Sequence, residues 1–340
     1  MNRRILLALA LVVVSAVVAV VVTSPFSSSP RPFTPAPQVT TSVNPALAPV
    51  PPTRGAYFGA WVGPDVFTQV NEINAVNSLQ QQLGRRLSIV HTYVKWQARF
   101  PTASALTFLD QGSMLLISWA GADTLQIGYG ADDAWIRTRA LQVKALGKPV
   151  FLEWRWEMDR PNLRAQVHSG ADYVRAWDRI RRIFADAGVR NAAWVWCPTA
   201  AGFADGRAAA YYPGDDQVDW VCADAYPDYG SEASFASTAG PFLAWASHHD
   251  KPVMIGEFGV PVSFGDRQRA RWLRAAQQVV TGDRQIKAVL YFDASPAGQG
   301  PAGSYSLGGD AAALAVFRSM ARDPYFNPTP DLSGGGSCLW

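Results

Sequence analysis

Residues 147–159 read GKPVFLEWRWEMD. Gly147 sits where a C′ glycine closes the helical pattern of Leu141, Ala145 and Leu146. Val150–Trp156 is a short run of branched and aromatic residues, the composition of a strand. Its alternation places Phe151, Glu153, Arg155 and Glu157 on one face and Leu152, Trp154, Trp156 and Met158 on the other. Further on, Val174, Trp177, Ile180 and Phe184 share one face of a helix that Gly188 stops. Helix, strand and helix therefore follow one another.

The same alternation extends in both directions. Upstream strands are expected at Tyr57–Val62, Leu87–Tyr93 and Met114–Trp119. Downstream ones are expected at Ala192–Cys197, Val218–Ala225, Val253–Phe258 and Ile286–Phe292, with a further amphipathic helix carrying Trp272, Leu273, Ala276 and Val280. Eight strands alternating with helices predict an α/β fold, a (β/α)8 barrel over residues 54–325. A doubly wound open sheet usually carries a Gly-rich phosphate loop after its first strand, and Gly59-Ala60-Trp61 is not one.

Composition excludes other classes. Of 340 residues, 49% are hydrophobic and 17% charged, with a net charge of +3. Such a chain buries a core and is not disordered. The small charge gives no electrostatic footprint for nucleic acid. Three cysteines do not make a disulfide scaffold.

The first 53 residues read as separate from the fold. Ile5–Val22 is an apolar run interrupted by Ser15 and preceded by Arg3 and Arg4. Two readings fit residues 1–23: a cleaved signal peptide, or an uncleaved membrane anchor, which its length favours. Residues 24–53 contain nine prolines and read as an extended, solvated linker. Residues 326–340 read as a Gly-rich tail. The expected location is extracytoplasmic, secreted or tethered.

In a (β/α)8 barrel, chemistry sits at the C-terminal strand ends. Glu157 closes the fourth strand and Glu257 the seventh, in PVMIGEFG. A lone carboxylate at the end of an apolar strand is costly unless it is partnered or used. Strands four and seven face each other across a barrel mouth, so the two carboxylates are expected to converge. A close carboxyl pair cleaves glycosidic bonds with retention, one acting as acid/base and the other as nucleophile.

Six segments then resemble glycoside hydrolase family 26: YFGAWVG (57–63), GRRLSIVHTYVKW (84–96), WEMD (156–159), AGVRNAAWVWCP (187–198), YYPGDDQVDWVCADAYP (211–227) and MIGEFG (254–259). The resemblance implies a retaining barrel glycosidase acting on a β-linked polysaccharide such as β-mannan or β-glucan. It implies that Glu157 is the acid/base, that Glu257 is the nucleophile, and that Tyr226 hydrogen-bonds the nucleophile. The sequence departs from the family's usual RPxHE before the acid/base: Glu153 stands for the Arg and Trp156 for the His. That departure motivates a second reading, a glycan-binding barrel without turnover; a transglycosylase is a variant of the first.

Trp61, Trp119 and Trp196 end predicted strands and are candidate platforms for sugar rings, the alternative being core packing. Trp177, Trp245 and Trp272 belong to helix–sheet packing. Asp224 is expected either to line the pocket or to satisfy a buried Arg, and His91 either to touch substrate or to sit in the core. The four His show no HExxH pattern, so neither a metal nor a cofactor is expected. Cys197 and Cys222 fall on adjacent strands, as a disulfide or as two buried thiols, and Cys338 is the odd one out.

Overall fold

A computed structural model describes residues 47–227, 231–296 and 300–328. Eight parallel strands close into a barrel, each paired with the next and the last with the first. They are β1 (Tyr57–Val62), β2 (Ile89–Val94), β3 (Met114–Trp119), β4 (Val150–Trp154), β5 (Ala192–Trp196), β6 (Trp220–Ala225), β7 (Val253–Phe258) and β8 (Ile286–Asp293). Helices stand between them, as the sequence predicts for a (β/α)8 fold.

Side chains alternate between two cores. Ile89, Leu116, Phe151, Val195, Trp220, Met254 and Leu290 fill the barrel interior. Phe58, Leu152, Trp154, Trp194 and Ile255 point the other way and meet the helices. The helix Gly170–Asp186 shows how that outer layer forms. Ser169 caps it by accepting a hydrogen bond from the Asp172 N–H. Its stripe of Tyr173, Trp177, Ile180 and Phe184 is buried, with Trp177 against Trp154 and Trp194.

Three boundaries move. β4 ends at Trp154 rather than Trp156, because Arg155 and Glu157 take left-handed backbone, at φ 56° and 51°. The described end of the linker is not solvated: Pro49 and Pro52 are buried, Ala48 packs on the interior cluster, and the Tyr57 hydroxyl donates to the Val50 carbonyl at 3.0 Å. Phe326, assigned to the tail, is fully buried and lies 5.5 Å from the Phe58 ring. The apolar segment 5–22, the linker up to residue 46, Cys338 and the chain from 329 onward lie outside the described residues. Among the described residues, no helix is long and apolar enough to cross a membrane.

Candidate active site

Register on β7 decides where Glu257 points. Cys222 pairs with Met254 and Ala223 with Ile255, but Asp224 pairs with Glu257. Gly256 is the extra residue of a β-bulge, and the bulge turns Glu257 to the interior face that strict alternation would deny it. Only glycine fits: a Cβ at residue 256 would lie 2.5 Å from Cys222 Sγ and 2.9 Å from Asp224 Oδ1.

Two tyrosines hold Glu257. The Tyr226 hydroxyl, just past β6, donates to Oε2 at 2.6 Å, and the Tyr93 hydroxyl of β2 donates to Oε1. Burial raises the Glu257 pKa, while Tyr226, Tyr93 and the charge of Arg160 oppose the rise.

Glu157 reaches the same place from the left-handed turn after β4. Its N–H donates to the Cys197 carbonyl at 2.7 Å, and its carbonyl accepts from the Arg160 N–H at 3.0 Å. Asp159 ties this turn to the next loop by accepting from the Thr199 N–H at 2.9 Å and from its hydroxyl at 2.5 Å. Two non-glycine residues in left-handed backbone within three positions is local strain of a kind that clusters at functional sites. Arg160 Nη1 donates to Glu157 Oε2 at 2.5 Å, so the ion-pair partner is the loop arginine; Arg155 turns away to Gln166, at 2.6 Å. Burial and then the Glu257 charge push the Glu157 pKa up to about 7, against Arg160. The two carboxyls thus share one electrostatic environment with unequal proton affinities, the arrangement that separates an acid from a nucleophile.

An aromatic wall borders them. Trp156 lies 5.1 Å from the Tyr93 ring, Trp61 lies 4.9 Å from it edge-on, and the exposed Phe67 stacks on Trp61 at 6.3 Å. Tyr305 stands opposite, its ring 4.8 Å from Tyr226. Its pKa is raised by burial and by the charges of Glu157 and Glu257.

Four expected substrate contacts are corrected. Trp119 points outward, fully buried and stacked on Trp96 at 4.2 Å, its indole N–H donating to the Trp96 carbonyl. Trp196 is also outward and fully buried, packed against Phe203, Tyr212 and Trp245. His91 is an interior histidine beneath Tyr93, 1% exposed, with Nε2 2.6 Å from Ser118 Oγ. Asp224 is 3% exposed and faces neither pocket nor arginine; its Oδ1 lies 3.3 Å from Cys197 Sγ. Trp61 alone of the three candidate platforms stands at the mouth.

Tyr93, Tyr305 and Arg160 were not singled out by the sequence. Tyr93 carried a signal, since it shares the interior face of β2 with His91 and ends that strand. Tyr305 carried none. It sits in an irregular loop, held there because its N–H donates to the Ala294 carbonyl at 2.9 Å.

Cys197 and Cys222 are opposite one another across β5 and β6 and form a disulfide. With Glu153 and Asp224 they bring four potential ligand atoms within 4.8 Å of one another. Both sulfurs are bonded to each other, so the set offers only two carboxyl groups.

A closed parallel barrel with two carboxyls at its C-terminal mouth and rings beside them defines the class of barrel glycosidases. Within that class, the glycosyl hydrolase family 26 profile matches residues 154–248. Endoglucanase H of Acetivibrio thermocellus is 29% identical over 297 residues, covering 81% of this chain and 31% of that protein. A beta-1,3-xylanase of an Alcaligenes species is 29% identical over 138 residues, covering 38% and 27%. The chain thus spans under a third of the length of these relatives. In three dimensions, a family 26 β-mannanase from Bacteroides ovatus superposes with a TM-score of 0.61 at 16% identity, over 80% of this chain and 90% of that one. The resemblance to family 26 therefore holds: the chain is a relative of that family, whose named members here are glycoside hydrolases.

Proposed function

We propose that this chain is a retaining glycoside hydrolase, endo-acting on a β-linked polysaccharide of the glucan, mannan or xylan type outside the cytoplasm. One observation carries the reading: Glu257 is held by two phenolic hydroxyls that favour its charged form, while nearby Glu157 is pushed to about 7. Glu157 then gives its proton to the glycosidic oxygen as the bond to the anomeric carbon breaks. Glu257 attacks that carbon from the opposite face and forms a glycosyl ester. Glu157, now a carboxylate, takes a proton from water, which cleaves the ester and regenerates both groups. Trp61, Tyr93 and Trp156 supply apolar surface for the C–H faces of the sugars.

Azide rescue tests the two roles. Glu257→Ala with azide should yield a glycosyl azide of inverted configuration. Glu157→Ala with azide, given an activated substrate, should yield one of retained configuration. Full activity of Glu257→Ala on β-glucan, β-mannan and xylan would sink the proposal. The extracytoplasmic placement is supported by the run 5–22 behind Arg3 and Arg4 and by a disulfide within the barrel. Fractionation of cells expressing the full chain tests it; recovery of the protein in the cytoplasm would refute it.

A further inference from the structure

Directly beneath Glu257 lie two more acids, Glu153 and Asp224, 1% and 3% exposed. Their carboxyl oxygens fall within 4.8 Å of each other beside the disulfide sulfurs. Like charges so close and so desolvated do not ionise together. A cation would relieve them, yet every surrounding element lacks one at this depth. β2 offers His91 and Tyr93, β3 the Ser118 hydroxyl, and β5 and β6 the two bridged sulfurs. β7 offers Gly256 and Glu257, and β4 sends Arg155 away to Gln166. Above them, Arg160 is engaged with Glu157, and Asp159 binds Thr199.

The hydrogen bonds identify the protonation states. Ser118 donates to Glu153 Oε2, so its oxygen is free to accept from His91 Nε2–H. The His91 Nδ1 has no partner among the described residues, as suits a lone pair better than a second N–H. Burial pushes the His91 pKa down to about 3, so the ring is no counter-charge. Asp224 Oδ1 is 3.3 Å from Cys197 Sγ, and a disulfide sulfur has no hydrogen to give. For that contact to be a hydrogen bond, the proton must belong to Asp224.

We propose that Glu153 and Asp224 are carboxylic acids rather than carboxylates in the working enzyme, a neutral floor on which Glu257 carries the interior's negative charge alone. Burial, with the charge of Glu257, also raises the pKa of both floor acids. The functional consequence rests on the glycosidase reading; the protonation states do not. Both are positioning residues: they do not touch the sugar, but their neutrality keeps Glu257 ionisable and hence nucleophilic.

Infrared difference spectroscopy on the full chain tests this without a substrate. Above the pH at which Glu157 ionises, the wild type should keep a carboxylic acid C=O band. Asp224→Asn should remove one part of it and Glu153→Gln the other. Absence of that band from the wild type overturns the proposal, whether or not either variant folds. Kinetics give the second readout. The acid limb of kcat/KM should keep its position in Asp224→Asn; had Asp224 been charged, losing that charge would shift the limb down by about one pH unit or more. Failure of the glycosidase reading would appear instead as no dependence of turnover on Glu257, with the infrared result unaffected.

Discussion

Asp224 pairs with Glu257, although Ala223 pairs with Ile255 and strict alternation would give Asp224 to Gly256. One surplus residue places a carboxylate inside the barrel that would otherwise face the helices. The surplus residue must lack a side chain, because the disulfide and Asp224 occupy the space below it.

Gly256→Ala should therefore damage both fold and activity. The added methyl meets Cys222 Sγ at 2.5 Å and Cys197 Sγ at 2.9 Å, and bonded sulfurs cannot swing away. We expect a loss of about 1–3 kcal/mol in stability from overpacking. We also expect a fall in kcat of roughly a hundredfold as Glu257 is displaced. Thermal unfolding and steady-state kinetics measure the two; a variant with wild-type kcat would contradict the role given to the bulge.

Tyr93→Phe and Tyr226→Phe each remove one hydroxyl donor from Glu257. These bonds stabilise the carboxylate, so each loss raises its pKa and the acid limb of kcat/KM should move to higher pH. A tenfold or greater drop in kcat should accompany the shift, as for other preorganised donors in a buried site. An unmoved acid limb would remove the tyrosines from the nucleophile's environment.

Arg160 holds the Glu157 proton affinity down. In Arg160→Ala the acid should keep its proton to higher pH, and the alkaline limb should move upward from its position near 7. A downward shift would show that the ion pair does not govern the acid.

Glu157 also carries a cost in stability. Its folded pKa, about 7, lies above the ordinary 4.5, so its favourable contribution is fully present below 4.5 and is lost as pH rises through 7. Glu157→Gln avoids that loss, worth up to about 3 kcal/mol at alkaline pH before the unpaired Arg160 is counted. Its melting temperature should exceed that of the wild type at alkaline pH and match it in acid. Equal melting temperatures throughout would indicate an unshifted carboxyl.

The tryptophans should separate by location. Trp119→Ala and Trp196→Ala open cavities between sheet and helices, with a loss of about 3–5 kcal/mol and, in protein that folds, an unchanged KM. Trp61→Ala and Trp156→Ala should leave stability nearly intact and raise KM roughly tenfold, equivalent to about 1.4 kcal/mol of binding. A raised KM in Trp196→Ala would return that residue to the pocket.

The strand and helix order was legible because each element has its own period and its own stop signals. Glu157 and Glu257 stood out because a carboxylate closing an apolar strand has few cheap explanations. The inner and outer faces were not legible: a barrel strand is apolar on both sides, so Trp119 and Trp196 read like Trp61 until Leu116 and Val195 were seen to face inward.

Composition and periodicity by themselves determined a parallel barrel with two glutamates at its working end. Tertiary structure decided which way those glutamates point. A one-residue bulge at Gly256 and a left-handed turn at Arg155 and Glu157 each reset the alternation, and such resets arise from contacts with neighbouring strands that no local pattern encodes. The same holds for Tyr93, Tyr305 and Arg160, distant in sequence from the carboxyls they adjoin or from each other, and brought to one mouth only by closure of β8 on β1.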